Sequence, residues 1–130
     1  FTGGAHGITT RLSYNVDNIT GKELKLSDLF KGGYEYKKVI NLEIANTIQF
    51  DKDKYFTGKD GFKGISEKQG FYVSSGNVVI YFNVYEIAPY VTGIPEFYIP
   101  FEKFDQKELK YELQPYNIKN IWIECTNFKF

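Results

Sequence analysis

The sequence predicts an α+β domain, a mostly antiparallel sheet with one main helix packed on one face. Three observations point there. Several separate segments alternate like strands, one long stretch carries apolar residues at three- and four-residue spacing, and no strand-helix-strand rhythm of a parallel sheet is present. The 130 residues suit one domain, able to bury roughly two-thirds of its unfolded surface. No internal repeat is visible.

Residues 8–17 alternate, with Ile8, Thr10, Leu12, Tyr14 and Val16 on one face and Thr9, Arg11, Ser13, Asn15 and Asp17 on the other. That is the pattern of a half-buried antiparallel strand whose apolar face packs inward, which leaves Arg11 solvated. Residues 18–22 carry turn chemistry. Leu24, Leu26, Leu29 and Phe30 then form an apolar patch around a helical turn capped by Ser27, and Gly32 and Gly33 end it. Between residues 34 and 50, Tyr36, Val39, Ile40, Ile44, Thr47 and Ile48 recur at helical spacing, so this is the long helix.

Residues 51–69 read as a loop with one short helix, anchored by Phe56, Phe62 and Ile65. Residues 71–74, a Ser75-Gly76-Asn77 turn and residues 78–85 form a hairpin. In its second strand Val78, Ile80, Phe82 and Val84 share one face, each contributing about 1.5 to 3 kcal/mol on burial before entropy is counted. Val79, Tyr81, Asn83 and Tyr85 share the other. Residues 96–101 make another strand with Phe97, Ile99 and Phe101 inward, and Pro100 marks an edge or an end. Residues 121–130 complete the sheet.

The segment 85–97 is too apolar and aromatic for an ordinary surface loop, and too broken for a strand. Pro89 lacks a backbone donor, Gly93 opens conformations closed to other residues, and Pro95 punctuates the chain again. Tyr85 and Tyr90 bracket Pro89, and Phe97 follows Pro95. A partner-binding loop made of Tyr85, Pro89, Tyr90, Gly93, Pro95 and Phe97 and a packed crossover are both open readings.

Bulk properties exclude several functions. Sixteen basic and sixteen acidic residues give zero net charge, and Arg11 is the sole arginine, so there is no footprint for nucleic acid or an anionic membrane. No apolar run reaches the length of a membrane helix. The chain starts at Phe1 and has no methionine, so we expect a signal peptide, membrane anchor or further domain ahead of it.

Candidate chemistry is sparse. His6 follows Gly3 and Gly4 in a turned lead into the first strand, and it lacks the second histidine or cysteine pair of a metal site. Its expected role is structural. Cys125 has no intrachain partner, and a buried free thiol is expected rather than a nucleophile-base pair with His6. Residues 51–56 begin like a calcium loop but place Tyr55 and Phe56 where an oxygen ligand and a glycine belong. Thr20-Gly21-Lys22 and Thr57-Gly58-Lys59 lack the rest of a phosphate loop. Glu86, Glu96 and Glu102 could pair for glycosidic chemistry, although solvated or loop-bracing roles are the plainer expectation. Asn18-Ile19-Thr20 matches a glycosylation acceptor, relevant only in a eukaryotic secretory pathway. We expect no metal and no cofactor.

Three segments taken together carry a family resemblance: Thr2-Gly3-Gly4-Ala5-His6-Gly7 before a strand, residues 18–22 leading into Leu26-Ser27-Asp28-Leu29-Phe30, and residues 85–97. In this order they resemble the bacterial domain of unknown function found at the C-terminal end of RsiV-like, lysozyme-sensing anti-sigma factors and in some peptidoglycan deacetylases. The resemblance covers about residues 1–105 and leaves 106–130 as an extension that adds a strand to the same domain. It implies an extracytoplasmic α+β module, secreted or membrane-anchored, whose partner is a protein such as lysozyme. It also implies a distant likeness to part of the actin-like Hsp70 ATPase fold, but no nucleotide motif is present here. The leading expectation is therefore a non-catalytic binding or sensor module of the cell envelope. A cell-wall glycan enzyme or deacetylase accessory is the alternative, and a purely structural half of a larger unit is the third.

Overall fold

The computed structural model describes residues 6–110 and 118–129. In chain order its elements are β1 (His6–Asp17), β2 (Glu23–Leu24), helix α1 (Tyr36–Gln49), β3 (Phe71–Ser74), β4 (Asn77–Tyr81), β5 (Glu96–Pro100) and β6 (Ile118–Lys129). The expected α+β class holds, with a difference in the sheet. The strands form two antiparallel three-stranded sheets, ordered β2-β1-β6 and β3-β4-β5. β6 does not complete the hairpin sheet; it pairs along its whole length with β1, from His6 opposite Lys129 to Asp17 opposite Ile118.

The β3-β4-β5 sheet forms the centre. Its tight hairpin turn places Ser75 at φ 45° and Gly76 at φ 83°, the two positive angles of the turn whose twist matches flanking strands. One face of the sheet carries Phe71, Val73, Val78, Ile80, Phe97 and Ile99, all buried, against Ile40 and Ile44 of α1 and the Leu26, Leu29 and Phe30 patch. The opposite face carries a smaller cluster of Tyr72, Val79 and Tyr81. That second face meets the β1/β6 ribbon.

The ribbon turns over relative to the sequence expectation. Leu12 and Tyr14 are 51% and 38% exposed, whereas Asn15 and Asp17 are 2% and 7% exposed. The reason is what covers the strand. β3 is an edge strand of the central sheet, and its outward carbonyls need donors more than they need apolar cover. Asn15 Nδ2 donates to the Phe71 carbonyl at 2.9 Å, Ser13 Oγ donates to the same oxygen at 2.8 Å, and Asn120 Nδ2 donates to the Val73 carbonyl at 2.9 Å. Asp17 is buried for a local reason, since its carboxylate accepts the Ile19 N–H of the following turn.

Three smaller expectations also change. β4 stops at Tyr81, because Asn83 leaves the strand to face β1. Its Oδ1 accepts the Arg11 N–H at 2.7 Å and its Nδ2 donates to the Arg11 carbonyl at 3.2 Å, so one carboxamide imitates a neighbouring strand. The turn at Leu26–Leu29 is braced by Asp28, whose carboxylate accepts the Lys25 N–H at 2.8 Å, while Ser27 lies inside the turn rather than capping it. Phe101 sits half-buried in the turn after Pro100 instead of extending β5.

Candidate protein-binding surface

The segment after β4 is built as an anchored knuckle. The Glu86 carboxylate accepts the Asn83 N–H at 2.9 Å and the Glu86 N–H donates to the Asn83 carbonyl at 3.1 Å, which closes a tight turn around Val84 and Tyr85. Within it Tyr85 takes φ 72°, a backbone region that bulky L-residues rarely adopt. Such a conformation costs on the order of 1–3 kcal/mol and persists only where surroundings enforce it. Ile87 and Ala88 are the anchor, 7% and 1% exposed, and the Ile87 carbonyl accepts the Phe56 N–H at 2.8 Å.

Pro89 then starts a single turn over Tyr90–Thr92. Gly93 closes it at φ 75°, its N–H donating to the Tyr90 carbonyl, and Thr92 Oγ1 fastens the turn to the Lys54 carbonyl at 2.7 Å. The outcome is a surface of Tyr85, Tyr90 and Val91, which are 45%, 39% and 90% exposed. The two tyrosine rings lie 5.9 Å apart.

The six residues singled out in this segment therefore divide. Tyr85 and Tyr90 face outward, Pro89 and Gly93 shape the turn, and Pro95 and Phe97 belong to the interior. Phe97 is 3% exposed, with its ring 5.9 Å from Phe82 and 6.0 Å from Tyr55, so its role is packing rather than surface contact. Val91 was missed by sequence reasoning. Its signal is an aliphatic residue between Tyr90 and Thr92, at the crest of a proline-started turn.

A second centre, also missed, lies where the ribbon meets the central sheet. Arg11 Nη1 bonds Glu96 Oε2 at 2.6 Å and Arg11 Nε bonds Glu124 Oε1 at 2.9 Å. Its guanidinium also lies over the rings of Trp122, at 4.3 Å, and Tyr81, at 5.0 Å. Arg11 is thus an inter-sheet clamp, not a solvated residue. Burial works to lower its pKa, but the hydrogen bonds to Glu124 and Glu96 outweigh it and hold the cation more firmly than usual. Tyr72 donates to Glu96 at 2.8 Å. Burial, the hydrogen bond with Tyr98 and the Glu96 carboxylate together raise the Tyr72 phenol far above its ordinary range.

Beside this clamp a cleft of about 540 Å³ opens between β1, β2 and residues 66–71, with Ser13, Asn15, Gln69, Tyr81 and Asn83 among its lining. The carboxylates weighed for glycosidic chemistry do not pair: Glu96 is held by Arg11 and Tyr72, Glu86 closes the knuckle, and Glu102 lies exposed in a turn. Residues 52–54 form one short turn. No group of three or more potential metal ligands is found among the described residues.

Gly3 and Gly4 lie outside the described residues, and His6 opens β1. Cys125 is exposed, not buried, and lies opposite Thr10. Four residues separate Thr10 from His6 along the strand, about 13 Å at ~3.4 Å per residue, so His6 and Cys125 do not form a dyad.

Comparison with known proteins gives a consistent picture. A family model described as "Protein of unknown function (DUF3298)" matches residues 27–102, which include the Leu26–Leu29 turn from Ser27 onward and the whole knuckle but not the glycine-rich start. A solved structure of a DUF3298 member from Bacteroides fragilis is 31% identical, with a TM-score of 0.64 over 89% of this chain and 46% of that one. The chain thus spans less than half the length of that relative. No curated protein matches.

Proposed function

We propose that this chain, which belongs to the DUF3298 family, is a non-catalytic protein-binding module of the bacterial cell envelope, with Tyr85, Tyr90 and Val91 as its contact surface. The observation that carries the reading is Tyr85, held at φ 72° with its ring exposed beside Tyr90. Backbone strain maintained to display an aromatic side chain is hard to account for by packing alone, because Ile87 and Ala88 already do the packing. Aromatic residues of few rotatable bonds give contact area at low entropic cost, and interfaces are enriched in them. An extracytoplasmic site of action and lysozyme as partner are what the likeness to lysozyme-sensing anti-sigma factors suggests.

The test is a calorimetric titration of lysozyme into the wild type and into Tyr85→Ala, Tyr90→Ala and Pro89→Ala variants. A central aromatic contact costs about 2 kcal/mol or more when truncated, near thirty-fold in Kd. Undetectable wild-type binding ends the lysozyme version, and binding indifferent to all three substitutions ends the surface assignment.

The cleft supports a second reading, an accessory that holds cell-wall glycan. Its volume falls in the range of small-molecule sites, and hydroxyl and carboxamide groups of the kind that bond sugars line it. Under that reading peptidoglycan fragments shift the NMR signals of Ser13 and Gln69 and leave Tyr90 unmoved.

A further inference from the structure

We propose that β6 is a homodimer edge, pairing antiparallel with β6 of a second copy of this chain through a two-fold axis at Trp122. This inference rests on the ribbon and not on the knuckle. β6 is twelve residues long and lies at the end of the order β2-β1-β6, so among the described residues no strand pairs with its outer edge. At ~3.4 Å per residue that is an open edge of about 40 Å. Proteins ordinarily protect such an edge with prolines, lysines or short length. Residues 120–123 carry none of these protections, and Ile121, Trp122 and Ile123 are 42%, 42% and 45% exposed.

The occupant follows from complementarity. On the outer face of the ribbon Leu12 lies opposite Ile123 and Tyr14 opposite Ile121, forming two apolar rungs, all four side chains exposed. A two-fold axis at Trp122 sets Ile121 of each copy against Ile123 of the other. Each rung then continues across the junction, from Leu12 and Ile123 into Ile121 and Tyr14 of the second copy, which makes two ladders of four apolar residues. In the same register Asn120 meets Glu124, Lys119 meets Cys125 and Ile118 meets Thr126, so no like charges oppose each other.

Neighbouring registers fit less well. An axis at Ile123 puts Trp122 against Glu124, and an axis at Ile121 puts Lys119 against Ile123. An isologous interface must be complementary to itself, and the Trp122 register of this strand meets that condition. The product is a six-stranded sheet, β2-β1-β6-β6-β1-β2, with a continuous apolar outer face.

Sedimentation equilibrium on the 130-residue chain, up to about 0.5 mM, tests the assembly. The expected mass is twice the 15.1 kDa of one chain. Ile121→Lys puts a charge at an exposed position, where folding tolerates it, and weakens association by at least about ten-fold. Circular dichroism and Trp122 fluorescence check that the variant folds. Register is tested by mild oxidation of Lys119→Cys, which yields a covalent dimer through Cys125 of the second copy, while the wild type, whose Cys125 faces Lys119, yields none. A wild type that stays monomeric, a dimer indifferent to Ile121→Lys, or a Lys119→Cys variant that fails to cross-link overturns the proposal.

Discussion

Removal of the Arg11 side chain should detach the ribbon from the central sheet more than any other substitution on β1. In Arg11→Ala the backbone bonds to Asn83 survive, so the loss is confined to the guanidinium. The bond to Glu96 joins a side chain 11% exposed to one 25% exposed, and a charge-assisted bond in such a setting is worth about 1.5–3 kcal/mol. The pair with Glu124, 42% exposed, is screened by solvent and contributes about 0.5 kcal/mol. Stacking on Trp122 adds about 0.5–1 kcal/mol. Together these give a loss of about 3 kcal/mol, equivalent to a fall in Tm of about 10 °C for a chain of this size.

Urea denaturation followed by the fluorescence of Trp122, the sole tryptophan, reads the effect at the ribbon itself. The midpoint should fall with the m-value unchanged. A double-mutant cycle with Glu96→Ala should return a coupling of at least about 1 kcal/mol. A loss under about 0.5 kcal/mol, or a coupling within the ~0.3 kcal/mol of independent sites, would refute the clamp.

Three further outcomes follow from the same geometry. Tyr85→Gly relieves the strain at φ 72° and should leave thermal stability equal or raise it by up to about 1 kcal/mol, while weakening partner binding; a clear loss of stability would mean that the ring is held for packing. Gly70→Ala would set a Cβ 2.5 Å from the Tyr81 ring, and calorimetry should show a cost of about 1–3 kcal/mol. Tyr72 has a folded pKa above its unfolded value near 10, so its contribution is fully present below about pH 10 and is lost as pH rises further. Tyr72→Phe should flatten that alkaline decline, read as stability against pH above about pH 10.

The parts of the fold written in local spacing were legible. Ile40 and Ile44 marked the buried stripe of α1, and the hairpin could be read from Ser75-Gly76 between apolar runs. The inward face of β1 was not legible, because alternation reveals two faces without saying what covers either. A face of Ser13 and Asn15 is inward only when its cover is the carbonyl edge of β3, and that edge is built by residues more than fifty positions away. The partner of β6 was hidden for the same reason. In the candidate surface Pro89, Tyr90 and Gly93 announced a shaped turn, and the alternation of residues 96–101 placed Phe97 inward, but the exposure of Tyr85 goes with its positive φ, which no spacing encodes.

The pairing of β1 with β6 also sets the order in which parts of the fold become possible as the chain is delivered from its N-terminal end. Thr9 bonds Thr126, a partner 117 positions later in the chain. At about 5–20 residues per second, β1 waits on the order of ten seconds after it is made before its long partner exists. The helix and the hairpin sheet, whose contacts are nearer in sequence, can form within that interval. Emergence of β6, not collapse of the core, is then the step that completes the ribbon, and until it occurs the long edge of β1 that β6 covers stays unpaired.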